Sequence, residues 1–332
     1  MPLPLILGVG AAIAGITGVG SGVHGAVKMK EAKDTMKSAE QRHQENQLKL
    51  EKKYEITSQY MEDLGKQELG ILSSFNEFSE LFEKIKNRPQ FKEYEKDDIR
   101  IPEYDKEELK EISSGASAAL GSAVAGVAGG FAASGAVTLS VGGSLGGLVA
   151  GGMAVQNATL AAIGGGAIAS GSVALGTAVL SAATLGVGLL VGGVAFSLTG
   201  SSLSDKADEA WDQMKCAEKE INGICSYLNE LSSTARKYNS VLERVNIVYK
   251  RYLLKLKNLV VIQGKTNWDD FSDSEKQETK NLELLVGLLY EMCKTPLVLK
   301  SSDEKGMNKV NDMEIKRTIN NAEMFLEERQ LY

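Results

Sequence analysis

Apolar residues recur every three or four positions along most of the charged part of the chain, and this spacing predicts helices. The first run reads Ala32, Met36, Ala39, His43, Asn46, Leu50, Lys53, Thr57, Met61, Leu64, then Ile71, Phe75, Phe78, Phe82 and Ile85. Its apolar seam is weak near Asn46 and Lys53 and strong after Met61. Arg88-Pro89 should end it, because proline disfavours helix in the residue before it. Gln90 to Tyr104 reads as a charged connector with a second proline, Pro102. Asp105 followed by Glu108 has the form of a capping-box start for a new helix. The longest unbroken seam follows Met214: Ala217, Ile221, Ile224, Leu228, Leu231, Ala235, Tyr238, Leu242, Val245, Tyr249, Tyr252, Leu256 and Leu259. Heptad spacing sustained this far marks a helix packed along its length against other helices. From Asp205 to Ile262 such a helix is on the order of 85 Å long, and Gly264 should stop it. Ser272 with Glu275 opens a further helix by capping-box logic. That helix carries Leu282, Leu285, Leu289 and Met292, and Pro296 closes it. Ser301 to Lys309 is a polar loop. Ile315, Ile319, Ala322 and Leu326 mark a last short amphipathic helix. The two long heptad segments suggest an antiparallel bundle.

Between these flanks the pattern disappears. Glu111 is the last charged residue before Asp205, and the roughly ninety residues between are almost all Gly, Ala, Ser, Val, Leu and Thr. Gln156-Asn157 is the most polar point and reads as a turn between two arms. Each arm, about forty residues, spans roughly 60 Å as one helix, against a hydrocarbon core of about 30 Å. Each must therefore break, tilt or fold back, and two to four spans are possible. Glycine weakens a helix in water by about 1 kcal/mol against alanine. In lipid the backbone must bond to itself, and helix is the available solution. The side chains expected to enter the bilayer are Leu120, Val124, Phe131, Leu139, Leu145, Leu148, Leu160, Ile163, Leu175, Val179, Leu189 and Phe196. Close helix approach would use the four-residue glycine spacings that involve Gly126, Gly130, Gly143, Gly147, Gly151, Gly188 and Gly192. Two other readings of this stretch are a small-residue core inside a helical bundle and β-hairpins around Val137 to Val141. The start of the chain, Met1 to Val27, is a second apolar run. A secretory signal places positive charge before its apolar run, whereas Lys28 and Lys30 come after this one. It reads as an uncleaved membrane-inserting helix or as a buried small-residue helix.

Charge and candidate chemistry narrow the function. The net charge is −6, so no basic footprint argues for nucleic acid, and none is expected as a partner. Cys216, Cys225 and Cys293 lack metal-ligand spacing, and three scattered thiols suit a reducing compartment. Gly8, Gly10 and Gly15 echo a dinucleotide loop, but their spacing is wrong for it and no βαβ alternation follows. His24 and His43 are too few for most triad or metal arrangements. The expectations are therefore no enzyme activity, no catalytic residue, no cofactor and no metal.

Long helices flanking an apolar hairpin resemble, in overall plan, the α-helical pore-forming cytolysins of the ClyA type and, more loosely, apolipoprotein L. The stretch NATLAAIGGGAIASGSVALGTAVL (Asn157 to Leu180), with GAVKMKEAKD near the start, also resembles segments of uncharacterised bacterial Gly/Ala-rich proteins. The cytolysin plan implies a soluble form that oligomerises into a ring in lipid. The second apolar run at the N-terminus and the lack of a secretion signal depart from it. The expected fold is all-α: an elongated bundle of long coiled-coil-like helices with a Gly/Ala-rich hydrophobic helical hairpin. Its expected divisions are 1–27 (apolar helix), 28–111 (amphipathic helix, connector and short helix), 112–204 (hairpin), 205–263 (heptad helix) and 264–332 (C-terminal helices). The bundle seam would be Ile221, Ile224, Leu228, Leu231, Leu242, Val245 and Leu256. The expected function is that of a membrane-inserting, oligomeric pore-former, resembling a toxin or defence effector. Its partners would be a lipid bilayer, other copies of itself and a regulatory protein. It would be membrane-associated, with a cytosolic soluble form before insertion. The alternatives are a permanently embedded scaffold whose helical domain binds a cytosolic partner, and a soluble helical binding protein.

Overall fold

The computed structural model describes residues 23–89, 94–96, 99–101, 103–128, 203–299 and 308–331, and over these the fold is all-α with a few very short strands. Helix α1 is Val23–Glu83. It runs without a break through the change from apolar to charged sequence at Lys28, so that change alters the helix surface and not the backbone. Its end comes before Arg88-Pro89. The backbone of Lys86 bonds sideways, donating to the Thr266 carbonyl at 2.8 Å and accepting from the Trp268 amide at 2.9 Å. Asn87 then turns with φ of 58°, a left-handed conformation that asparagine tolerates better than most residues.

The connector holds two strands that the periodicity did not predict. β1 (Tyr94–Lys96) pairs antiparallel with β2 (Ile99–Ile101), Tyr94 opposite Ile101. In β2 Ile99 and Ile101 are buried while Arg100 faces out, the alternation of a strand with one covered face. Helix α2 (Lys106–Ala128) starts where Asp105 accepts from the amides of Glu107 (2.7 Å) and Glu108 (3.2 Å). Helix α3 is Leu203–Lys257 and passes into a π-turn at Asn258–Ile262. Gly264, at φ +69°, ends it in a conformation that favours glycine. A single 3-10 turn, Trp268–Asp270, precedes α4 (Asp273–Lys294). The capping box of α4 is complete: Ser272 Oγ accepts from the Glu275 amide, and Glu275 accepts from the Ser272 amide. β3 (Val298–Leu299), β4 (Lys309–Val310) and helix α5 (Asp312–Glu328) complete the order.

Two compact units divide these elements. The first joins α1 up to Ser58 with α3 up to Ser232. Ala32, Met36, Ala39 and Leu50 of α1 are buried there, as are Met214, Ala217, Ile221, Ile224, Leu228 and Leu231 of α3. Cross-helix contacts set the direction of the pair. Arg42 bonds Glu218, Lys49 bonds Asn222, and the Thr57 hydroxyl donates to the Leu228 carbonyl. Numbers rise together on both helices, so they run parallel. The antiparallel arrangement suggested by the sequence is therefore corrected. Periodicity identifies which face is covered and carries no information about the direction of the covering helix.

The second unit contains the rest of α1 and α3 with β1, β2, α2, α4 and α5. Phe75 meets the Tyr249 ring edge-on at 5.8 Å, and Phe78 stacks on Phe82 at 5.1 Å. α2 runs back along α1. The Ser113 hydroxyl donates to the Ser73 carbonyl and accepts from the Asn76 amide, while Lys110 pairs with Glu83. Asn321 of α5 clasps Arg100 of β2, accepting from its amide and donating to its carbonyl. α4 approaches β2 so closely that a Cβ at Gly287 would lie 2.8 Å from the Ile101 side chain. Tyr252 leaves the seam. It is half-buried beneath the cations of Arg251 and Lys255, and buried Leu253 takes the inward position. The seam advances by four after Tyr249, not by three.

Candidate functional site

The first unit begins where α1 and α3 enter side by side. Because they run parallel, Val23 and Leu203 lie at the same end of that unit. The apolar run that precedes α1 and the uncharged stretch that precedes α3 are thus both attached at this end. A few turns along, Ser38, Gln41, Arg42, Glu45, Asn46, Trp211 and Glu218 line an open polar depression. Trp211 carries the Lys215 ammonium over its ring at 5.8 Å, a cation–π contact. The Nδ2 of buried Asn46 has no hydrogen-bond partner. His43, which the seam predicted to be a core or interface polar residue, is half-buried, and its Nε2 bonds Gln47 at 3.0 Å. Burial lowers its pKa, since desolvation disfavours the charged imidazole.

Titratable groups are also buried in the core of the second unit. Glu68 is 1% exposed, on the inward seam of α1 one turn after Leu64, and its Oε2 has no partner. Burial holds its carboxyl well above the usual range. Tyr238 and Cys293 both feel the Glu68 charge. Burial first, and Glu68 second among the groups that raise it, push the Cys293 thiol up. Burial likewise raises the Tyr238 phenol, whose hydroxyl donates to the Met292 carbonyl at 2.7 Å. Thr295 and Thr318 share a hydrogen bond at 3.2 Å. On α4, buried Glu283 is pushed up to about 7 by desolvation, although Lys106 and Arg88 pull it down. Burial and the Glu283 charge raise the Tyr104 phenol.

Glu68, Tyr238, Glu283 and Cys293 are all buried. The Cys293 thiol is fully buried, and raised pKa values disfavour the thiolate that a nucleophile needs. Cys216, Cys225 and Cys293 are all free thiols. Among the described residues no group of three or more His, Cys, Asp or Glu is arranged to hold a metal ion.

The seam residues Ile221, Ile224, Leu228 and Leu231 are buried in the first unit, and Leu242, Val245 and Leu256 in the second. Leu120, Val124 and Gly126 lie on α2, where Leu120 is half-buried. Phe131, Leu139, Leu145, Leu148, Leu160, Ile163, Leu175, Val179, Leu189 and Phe196 lie outside the described residues, as do Gly130, Gly143, Gly147, Gly151, Gly188 and Gly192. Among the described residues no helix is long and apolar enough to cross a membrane. Neither Glu68 nor Glu283 belongs to a motif that points to chemistry in the sequence. Glu68 was visible in principle: stepping four residues from Leu64 along the seam lands on it, while the apolar pattern passes on to Ile71.

No protein-family model, curated protein or solved structure matches the chain.

Proposed function

We propose that the protein inserts into membranes conditionally and assembles there with other copies of itself into a pore. One observation carries this reading: the roughly ninety residues from Glu111 to Asp205 hold no ionisable side chain. Such a stretch offers water no charge and spares the bilayer the cost of burying one. The parallel start of α1 and α3 supports the reading, because it tethers this stretch and the N-terminal apolar run at one end of the first unit. The buried carboxyls support conditionality. Burial raises the Glu68 carboxyl and pushes that of Glu283 up to about 7, so ionising either one costs the second unit stability.

Vesicle flotation with dye release tests the proposal. The full chain is expected to float with vesicles and release dye. An arginine at mid-bilayer costs about 2.5–3.5 kcal/mol on insertion scales. Leu148→Arg and Val179→Arg should therefore reduce release at least tenfold while leaving thermal melting of the helical units unchanged. Normal release by both variants would remove the stretch from the membrane role. Flotation without release at every pH would leave an embedded scaffold in place of a pore.

A further inference from the structure

The second half of α3 and the π-turn after it differ in charge from the rest of the molecule. From Leu203 to Leu231 the helix carries seven acidic and three basic residues. From Arg236 to Lys257 it carries seven basic residues (Arg236, Lys237, Arg244, Lys250, Arg251, Lys255 and Lys257) against the single acid Glu243, in a chain of net charge −6. The outward face of this basic half is also apolar. Ile247 is 60% exposed and Leu254 is 66% exposed. They are seven residues apart, so they sit one above the other on the helix. The π-turn then sends Leu259 and Val260 inward and leaves Val261 52% and Ile262 74% exposed. The result is an apolar line some four turns long, edged by cations, on the face opposite the covered seam of Leu242, Val245, Tyr249, Leu253 and Leu256.

Several of the cations have partners. Arg244 pairs with Glu323, Lys255 with Glu278 and Lys257 with Glu77, and Arg251 donates to the Leu331 carbonyl. Arg236, Lys237 and Lys250 are exposed and make no ion pair among the described residues. A helix face with large aliphatic side chains at its centre and unneutralised cations at its edge is suited to lie in the interface of an anionic membrane. The aliphatic residues enter the acyl boundary while the basic stems reach back to headgroups.

We infer that the outward face of α3 from Arg236 to Ile262 is a docking surface for anionic lipid headgroups. The inference extends the membrane reading above by naming the headgroup chemistry, and it is separable from pore formation because peripheral docking needs no inserted segment. Charge complementarity selects the occupant: Arg236, Lys237 and Lys250, exposed and outside any ion pair among the described residues, call for an anionic surface.

The test uses the full chain with vesicles of phosphatidylcholine alone and of phosphatidylcholine mixed with phosphatidylserine. The protein should prefer the phosphatidylserine vesicles, and the preference should fade as salt rises. Removing both charges in Arg236→Gln/Lys250→Gln should weaken binding to the anionic vesicles by about tenfold or more, at roughly fivefold per basic residue. Ile247→Ser/Leu254→Ser should weaken it as well. All four positions are exposed, so circular dichroism and melting should match the parent and separate lost docking from lost folding. An unchanged anionic preference in the charge variant overturns the inference, even if dye release persists. Charge-dependent binding without dye release keeps this surface and defeats the pore reading. Charge-dependent capture of an acidic amphipathic peptide, with no response to anionic vesicles, also overturns it in favour of a protein partner.

Discussion

The same two helices, α1 and α3, build both units, yet they do so with different materials. In the first unit the α1 seam reads Ala32, Met36, Ala39, His43, Asn46, Leu50, Lys53 and Thr57. In the second it reads Met61, Leu64, Ile71, Phe75, Phe78 and Phe82, all of them buried, as is Ile85 just past the helix end. To the first unit α1 brings mostly small and polar groups, which face larger aliphatic side chains of α3 and make specific polar contacts, such as the Thr57 hydroxyl on the Leu228 carbonyl. The second buries aromatic and large aliphatic side chains among five helical segments and a strand pair. Apolar area and dispersion contacts supply most folding free energy, so the second unit is the folded anchor and the first is the part that opens at low cost. A polar residue on a seam specifies register at the expense of stability, and in the first unit Asn46 and Thr57 have that effect.

The largest break in this comparison is a core truncation. Phe75→Ala should destabilise the second unit by about 3–5 kcal/mol, the range for a buried aromatic. Leu50→Ala in the first unit, on an α1 seam whose other positions are mostly small or polar, should cost the lower end of the aliphatic range, about 2 kcal/mol. Denaturant melts would read the global effect, and amide exchange would show the first unit opening first in both proteins. Equal losses at the two sites would erase the contrast.

Next in size is the pH dependence of the buried carboxyls. The folded pKa of Glu283 is about 7, above its ordinary value, so the folded state keeps a proton that the unfolded chain releases. Stability from this group is fully present below the unfolded pKa and is lost as pH rises from there through about 7. Glu283→Gln should therefore be more stable than the parent above that pH by about 3 kcal/mol and show little difference in mild acid. Glu68→Gln should act in the same direction. Melts of both variants across pH, compared with a first-unit substitution that shows no such slope, would confine the effect to the second unit. A gain that grew toward acid would show that the carboxyls are ionised in the fold.

Gly287→Ala comes third. Its Cβ would press on the Ile101 side chain, and overpacking of this kind costs about 1–3 kcal/mol. Recovery of stability in the pair Gly287→Ala/Ile101→Leu, which removes the γ-methyl that the new Cβ would meet, would identify that contact as the cause. The smallest effect belongs to the surface of the first unit. Arg42 and Glu218 form a bidentate pair at 3.1 Å, with the arginine half exposed. A double-mutant cycle should return no more than about 1 kcal/mol, decreasing with salt.

Much of this architecture is legible along the chain, for a physical reason. Where one helix face is continuously covered, the sequence must repeat at helical spacing, and residues Met214 to Tyr249 do so. Caps are equally local, so Asp105 and the Ser272–Glu275 box can be placed from a few residues. Features that depend on partners far along the chain could not be read this way. Nothing near Lys86 announces that its backbone will bond to Thr266 and Trp268, so the end of α1 was placed too late. Ile99 and Ile101 alternate as a strand should, but over too few residues to stand out among the charges. Helix direction is invisible to periodicity, and a charged residue on a seam, such as Glu68, is easily taken for a surface position. The residues proposed for the membrane lie for the most part outside the described helices, and their reading rests on composition alone.

The parallel pairing of α1 with α3 also bears on how the protein is made. The Thr57 hydroxyl finds its acceptor 171 residues further along the chain. At roughly 5–20 residues per second of synthesis, the inner face of α1 leaves the ribosome about ten to thirty seconds before the helix that covers it. During that interval Met36, Leu50 and Met61, all buried in the finished fold, have no cover from α3. The newborn chain therefore runs its greatest risk of aggregation before α3 emerges, while its most water-averse stretch is still being translated.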